Sequence, residues 1–383
     1  MDENLSWVEI DREALEQNIA VFRSLVGEAR RLLVVVKGNA YGHGMLPVAN
    51  IALAAGADWL GVFNMQEAIE LRQANIASPI LVMGPTPENL LVRAAQLRLS
   101  ITVASPEAAE AVLRVRPKSL RVHLKLETGT NRQGFLPEHL PVIQRLAEEP
   151  SIEIEGAYTH FADIEDTTDH SFAETQLRRF QDFTELLLKL DVTPPLLHTA
   201  CSAATLLFPQ TLFAMARVGI SAYGLWPSKE TYVSAHQVGR EPAKLKPVLS
   251  WKTRVSQVKE LAVGEYVGYG RTFRTTRPTR IAVLPLGYAD GYDRGLSNRA
   301  HVLIAGRRAP LRGRVCMNLM MADVTDIPEA KAGDEVVLIG AQGDEHIHAD
   351  HLASWLGTIN YEIVTRIASA APRIVVPTDR EAA

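Results

Sequence analysis

The stretch that decides the fold is Val34-Val35-Val36-Lys37-Gly38-Asn39-Ala40-Tyr41-Gly42-His43-Gly44. The aliphatic run Leu32 to Val36 reads as a strand buried on both faces, the form taken by strands of a parallel sheet. It ends on a single lysine. Glycines at 38, 42 and 44 then interrupt regular structure, and an apolar helical pattern resumes at Met45. Burial at a strand end disfavours the charged form of an amine. A neutral amine is nucleophilic toward an aldehyde, so Lys37 reads as a Schiff-base lysine. The competing reading is a lysine that merely reaches solvent.

Outward from this stretch the pattern repeats. Strand-like runs cover Leu32–Lys37, Trp59–Phe63, Ile80–Gly84, Ile101–Ala104, Leu120–Leu126, Ile154–His160, Leu196–Thr199 and Met215–Ala222. Helical patterns lie between them. Eight strand–helix units in about 190 residues predict parallel strands with right-handed crossovers, closed as a (β/α)8 TIM barrel or left open as a doubly wound sheet. Before them, Trp7–Ile10 is a short strand pattern and Asp11 a helix N-cap. After Trp226-Pro227 the pattern changes. Tyr232–Lys246 reads as a linker or long loop. Strand runs then follow without helices, at Leu249–Leu261, Arg280–Leu284, His301–Ile304, Arg308–Val315, Met320–Asp323 and Glu335–Ile339. A helical piece at His351–Leu356 and a last strand at Arg373–Val376 complete a mainly β second domain. The expected division is an N-terminal strand (1–11) packed with the C-terminal domain, a barrel (12–240) and a β domain (241–383).

The 383 residues suit two domains, and a net charge of -4 points to neither nucleic acid nor an anionic membrane as partner. The acidic start, Met1-Asp2-Glu3-Asn4, lacks the basic and apolar regions of a signal peptide. No apolar run reaches the roughly 18 residues of a membrane span. Cys201 and Cys316 form neither a disulfide framework nor a metal motif, so a cytoplasmic setting is expected and no metal.

In a barrel, chemistry sits at the C-terminal ends of the strands. Lys37 ends the first and His160 the sixth, while Arg132 follows the fifth and Ser202 the seventh; Arg217, Gly219 and Ile220 lie on the eighth. Barrel phosphate sites form after strands seven and eight, where the Ser202 hydroxyl and the Gly219 and Ile220 N–H groups fall. A reactive lysine facing a phosphate cradle is what pyridoxal 5′-phosphate (PLP) requires. Each residue has a plainer reading: His160 as a core histidine, Ser202 as a helix N-cap, Arg217 as a rim ion pair. Lys125 alternates with apolar residues on the fifth strand, so inside the barrel it needs a partner or a modification.

VVVKGNAYGHG, ETGTNRQG, THFA, CSAA, ARVGISAYG, VGYGRTF, GYADGY, GRVCMN and INYEIV occur in that order from residue 34 to residue 364. Together they resemble the alanine racemases of PLP fold type III. The resemblance implies a barrel plus a β domain, and a homodimer whose active sites are shared between subunits. It implies L-alanine and D-alanine as substrates, and supply of D-alanine to peptidoglycan. Lys37 would carry the cofactor as an aldimine and serve as one acid–base group. Tyr269, from the partner subunit, would be the other. His160 would hydrogen-bond the tyrosine, with Arg217 behind it. Tyr41, Ser202, Gly219, Ile220 and Tyr361 match phosphate contacts. Arg132 matches the arginine near the PLP phenolate and the substrate carboxylate. Met317 matches a backbone contact to that carboxylate, Tyr288 a gate tyrosine, and Lys125 a lysine carbamylated in many members. In the family the arginine at Arg217 faces the pyridine nitrogen and, being always protonated, keeps that nitrogen unprotonated. Decarboxylases of this barrel type carry a carboxylate there. Asn318, Cys201 and Thr130 depart from the residues common in the family. Alternatives are a broad or serine-preferring racemase, a non-catalytic PLP carrier and a decarboxylase.

Overall fold

A computed structural model describes residues 5–237 and 244–377. The acidic start and the predicted boundary at 240/241 lie outside the described residues. The chain divides into two compact units. One comprises Leu15–Gly38 and Met45–Lys246; the other takes the chain up to Ala14, Asn39–Gly44 and everything from Pro247 onward.

The first unit is the barrel. After β1 (Ser6–Asp11), its strands are β2 (Arg31–Val35), β3 (Trp59–Val62), β4 (Ile80–Val82), β5 (Ser100–Val103), β6 (Leu120–Lys125), β7 (Ile152–Tyr158), β8 (Leu196–His198) and β9 (Met215–Val218). All neighbours are parallel, in the order β8-β7-β6-β5-β4-β3-β2-β9. Because β2 pairs with both β3 and β9, the sheet curls back on itself. Backbone bonds from Ala214 N–H to Leu197 O and from Arg217 N–H to Ala200 O span the remaining gap between β8 and β9. This is a barrel and not an open doubly wound sheet. Local chemistry sets the helices around it. Met65–Gln73 starts with a capping box between Asn64 and Glu67, and Pro106–Val115 with Ser105 as N-cap and proline at its first position.

The second unit is mainly β. Its larger sheet runs Arg307–Pro310, His301–Ile304, Glu335–Gln342, β10 (Leu249–Arg254), β1, Arg373–Val376. β1 is antiparallel to β10, with Val8 opposite Trp251, and parallel to the last strand, with Ile10 opposite Val375. Trp251, Tyr292 and Ile10 are fully buried in its core. Lys252 on β10 ties together the strands on either side of it through ion pairs with Glu9 of β1 (3.0 Å) and Glu335 of Glu335–Gln342 (3.1 Å). A smaller sheet joins Gln257–Leu261, Thr279–Leu284 and Met320–Asp323.

Several boundaries differ from the sequence reading. The start of the expected linker is helix Lys229–Gln237, where the Ser228 hydroxyl accepts the Thr231 N–H and Tyr232 packs its ring on Trp226 and His236. The strand expected over Arg308–Val315 ends at Pro310, because proline gives the ladder no donor and Gly313 takes φ +78°. Leu249–Leu261 is two strands, broken after Arg254. A helix not foreseen, Asn360–Thr365, follows Ala349–Leu356. Among the described residues no helix is long and apolar enough to cross a membrane, and none group as three or more metal ligands.

Candidate active site

β2 stops at Val35, and Val36 N–H still donates to Gly61 O. Lys37 therefore stands just past the strand, not as its last residue. Five residues then take positive φ: Gly38 (62°), Asn39 (54°), Ala40 (54°), Tyr41 (52°) and Gly42 (83°). This is a left-handed turn, and three of its members carry a Cβ. Such conformers cost roughly 1–2 kcal/mol per residue and persist only where surrounding structure imposes them. On the barrel side the constraint is Gly38 N–H donating to Glu67 Oε1 at 2.7 Å. On the β side Arg373 donates from Nε and Nη2 to Gly42 O (3.0 and 2.9 Å), and a Cβ on Gly42 would lie 1.9 Å from Val364 O. His43, fully buried, bonds the Tyr41 and Ala40 carbonyls through Nδ1. Tyr41 faces Tyr361 across 6.1 Å between ring centres.

At the barrel mouth, burial and then the charges of Arg132 and Arg217 hold the Lys37 amine below the ordinary lysine range, against the opposing pull of Glu67. Lys125, the last residue of β6, is buried, with Nζ 4.5 Å from the centre of the Tyr158 ring. Burial, reinforced by Arg217 and Arg132, pushes its amine well down. His160 lies two residues past β7, and burial together with Lys125, Arg217, Arg132 and Lys37 keeps its imidazole neutral. Arg217 is held by a dense set of acceptors: Nη1 donates to His198 O (3.0 Å) and His198 Nδ1 (2.8 Å), Nη2 to Thr159 O (2.8 Å) and Thr199 O (3.1 Å), with His160 Nδ1 at 3.4 Å. All these bonds leave from the two terminal nitrogens. No aspartate or glutamate is among the groups that shift its pKa.

Ser202 does not cap its helix. Cys201 occupies the cap position, and the Ser202 hydroxyl instead accepts the Gly219 N–H at 2.9 Å. Serine, Gly219 and Ile220 are thereby brought together where β8 and β9 end. Arg132 belongs to a tight loop folded around Glu127. Burial works to raise that carboxyl, but N–H groups of Gly129, Asn131, Arg132 and Thr130 prevail and hold it low. The Thr130 hydroxyl donates to His160 O at 2.6 Å, linking the loop to the histidine. In the β unit, Tyr269 is 73% exposed on the turn between strands Tyr266–Val267 and Phe273–Arg274. It borders a cavity of about 490 Å³ with Tyr266, Cys316, Leu319 and Met321. Tyr288 and Met317 share one backbone register, through Tyr288 N–H to Cys316 O and Ala289 N–H to Met317 O.

Residues missed by the sequence reading include His123, His198, Glu155, Tyr158 and Gln176, all in the barrel unit. Gln176 joins the loops by bonding Ala162 N–H, the Thr128 hydroxyl and His160 O. The signal was present on β6, where Arg121, His123 and Lys125 alternate with Val122 and Leu124. In a strand buried on both faces, polar residues at period two mark a polar layer inside the barrel.

A buried guanidinium, with no carboxylate among the groups that shift it, thus lies behind the barrel mouth, and the proteins this chain resembles over its whole length are racemases, a class of isomerase. Two family models cover nearly the whole chain: the alanine racemase N-terminal domain matches residues 10–227 and the C-terminal domain residues 248–375. The alanine racemase of Leptospira interrogans is 39% identical over 97% of this chain and 96% of its own, and that of Desulfosudis oleivorans 40% over 98% and 97%. The crystal structure of the Bacillus anthracis alanine racemase superposes with a TM-score of 0.92 at 37% identity, covering 99% of this chain and 96% of that one. The chain belongs to the alanine racemase family.

Proposed function

We propose that this chain interconverts L-alanine and D-alanine with PLP, as a cytoplasmic homodimer with shared active sites that supplies D-alanine for peptidoglycan. The observation that carries the reading is Arg217, fixed through its terminal nitrogens with Nε left for a further acceptor such as a ring nitrogen. The rest of the barrel mouth fits the same cofactor. Lys37 is biased toward its neutral, nucleophilic form. Ser202, Gly219 and Ile220 are grouped where a phosphate would sit, and Tyr41 and Tyr361 are assigned to the same phosphate.

The cofactor, when bound, supplies an electron-withdrawing ring conjugated to the substrate nitrogen, which makes the Cα proton removable near neutral pH. The side chains divide the remaining work. Racemisation needs one acid–base group on each face of Cα. Lys37 Nζ is assigned to one face and the phenol of the partner subunit's Tyr269 to the other. A phenol, with an ordinary pKa near 10, needs help to act as a base. His160 is assigned that task. With Arg217 donating to Nδ1, its own proton lies on Nε2, a donor suited to the phenol oxygen. Arg217 would hold the cofactor at its ring nitrogen by donating from Nε, and since a guanidinium cannot give up its proton that nitrogen would stay unprotonated, which favours prompt return of the Cα proton. Arg132 and the Met317 backbone are assigned to the substrate carboxylate, and Tyr288 to the gate. Lys125, buried and with no ion pair among the described residues, suits carbamylation. The resulting anion would orient Arg132.

The test is racemisation of each enantiomer in D2O. The enzyme is expected to convert either one and to place solvent deuterium at Cα of the product. Tyr269→Phe is expected to lose racemisation in both directions while one enantiomer still exchanges its Cα proton. Equal racemisation by Tyr269→Phe and wild type would refute the two-base assignment, and a kcat/KM higher for serine than for alanine would favour the broader racemase.

A further inference from the structure

A continuous hydrogen-bond chain runs through the barrel interior from Arg217 away from the mouth. Its direction is fixed by one fact: a guanidinium only donates. Arg217 Nη1 donates to His198 Nδ1 at 2.8 Å, so that nitrogen bears no proton and the His198 proton sits on Nε2. His198 Nε2 lies 2.9 Å from His123 Nδ1, which must therefore accept. The His123 proton is then on Nε2, 3.2 Å from Glu155 Oε2. The Ser100 hydroxyl also donates to that oxygen, and Arg121 approaches the other at 3.4 Å. Both imidazoles are neutral, each in its Nε2–H form, and a carboxylate terminates the chain.

The backbone is built for this chain. β6 and β7 slip register at its centre. Val122 pairs with Ile154 but His123 pairs with Gly156, leaving Glu155 as the extra residue of a bulge. A bulge re-aims a side chain, and this one turns Glu155 to the interior against the strand's alternation. Gly156 makes room beside it, since a Cβ there would fall 2.4 Å from His123 Nδ1. Tyr158 stacks flat on His198, 4.7 Å away at 9°, and its hydroxyl is held by Thr102 at 2.9 Å.

We propose that Glu155 is a positioning residue for Arg217, acting through His123 and His198. Arg217 at one end and Glu155 at the other select the same tautomers, and Glu155, by anchoring the His123 ring and through it His198, holds the guanidinium plane and with it the aim of Nε. The proposal rests on the assignment of Arg217 to the cofactor ring, and the experiment separates the two. The readout is the tautomer of His123 and His198, from 15N shifts of the 15N-histidine-labelled, full-length protein with its cofactor. Wild type is expected to show both rings as neutral Nε2–H forms. Glu155→Ala, which removes the terminal acceptor, and Gly156→Ala, which displaces His123 while keeping the carboxylate, are expected to mix the tautomers. Both are expected to lower kcat roughly 10-fold, the low end of the range for partners one shell out from a working group because Glu155 acts through two imidazoles, with KM little changed. Glu155→Gln keeps an acceptor for His123 and is expected to restore the tautomers and most of kcat. Unchanged tautomers in both alanine variants would overturn the proposal. Failure of the cofactor assignment shows elsewhere, as an Arg217→Lys enzyme that racemises normally.

Discussion

Gly42 and Val364 are in van der Waals overlap with any side chain larger than hydrogen: a Cβ at Gly42 would lie 1.9 Å from Val364 O and 2.8 Å from its carbonyl carbon. Residue 42 also has φ +83°, so alanine there meets both a clash and a strained backbone. Gly42→Ala is expected to destabilise the β unit by more than about 2 kcal/mol, with loss of cofactor. Gly333→Ala, at φ +90° with nothing near the added methyl, isolates the backbone part and is expected to cost about 1 kcal/mol. Thermal unfolding of the two variants checks the difference.

On the assignment proposed for Arg217, Arg217→Glu would set a carboxylate where the guanidinium meets the cofactor. It is expected to lower racemisation by about 10²–10³, as for removal of one preorganised electrostatic group, and to open a side reaction in which the amino group of alanine passes to the cofactor and pyruvate leaves. Pyruvate formation per racemisation event, read with lactate dehydrogenase, checks it. No rise in that ratio would count against the role given to Arg217.

Acid should destabilise the fold in a defined window. Burial lowers His43 to about 4 against an ordinary 6.5, even though the Tyr41 and Ala40 carbonyls favour its protonated form. The unfolded chain thus binds the proton first as pH falls. Stability from this group is complete above about 6.5 and is lost down to about 4, by roughly 3 kcal/mol. His123, His160 and His198 are lowered in the same sense and add to the slope. Urea unfolding at pH 7.5 and 5.0 is expected to show a clearly lower midpoint at pH 5.0, and His43→Asn a smaller change between the two.

Burial pushes the Cys201 thiol up to about 12, despite opposing N–H groups of Ala204 and Ala203, and burial also raises Cys316. Thiolate is the reactive form. At pH 8 the folded enzyme is therefore expected to react slowly with DTNB and to release two thiols per chain once unfolded. A fast thiol that persists in Cys316→Ser would contradict the buried setting of Cys201.

The strands were the most legible part of this chain. Unbroken aliphatic runs such as Leu32–Val36 have one interpretation in a repeating series, and the structure departs from the predicted barrel strands only at their ends. The left-handed turn after Lys37 was not legible, because Asn39, Ala40 and Tyr41 carry no mark of positive φ. Its cause lies at Val364 and Arg373, more than 300 residues along the chain. The grouping of Ser202 with Gly219 and Ile220 could be anticipated from barrel topology. The His198–His123–Glu155 chain could not, since a one-residue bulge moves Glu155 to the opposite face and no local pattern announces it.

The strand Ser6–Asp11 lies between Leu249–Arg254 and Arg373–Val376, and among the described residues the last of these has no other strand beside it. The gene consequently has no cut point that would yield a complete C-terminal half. A fragment starting at Pro247 lacks the strip to which its own tail is stitched and leaves two raw edges prone to self-association. Any attempt to split, swap or transplant this half must carry along Ser6–Asp11, a strip more than 230 residues away along the chain.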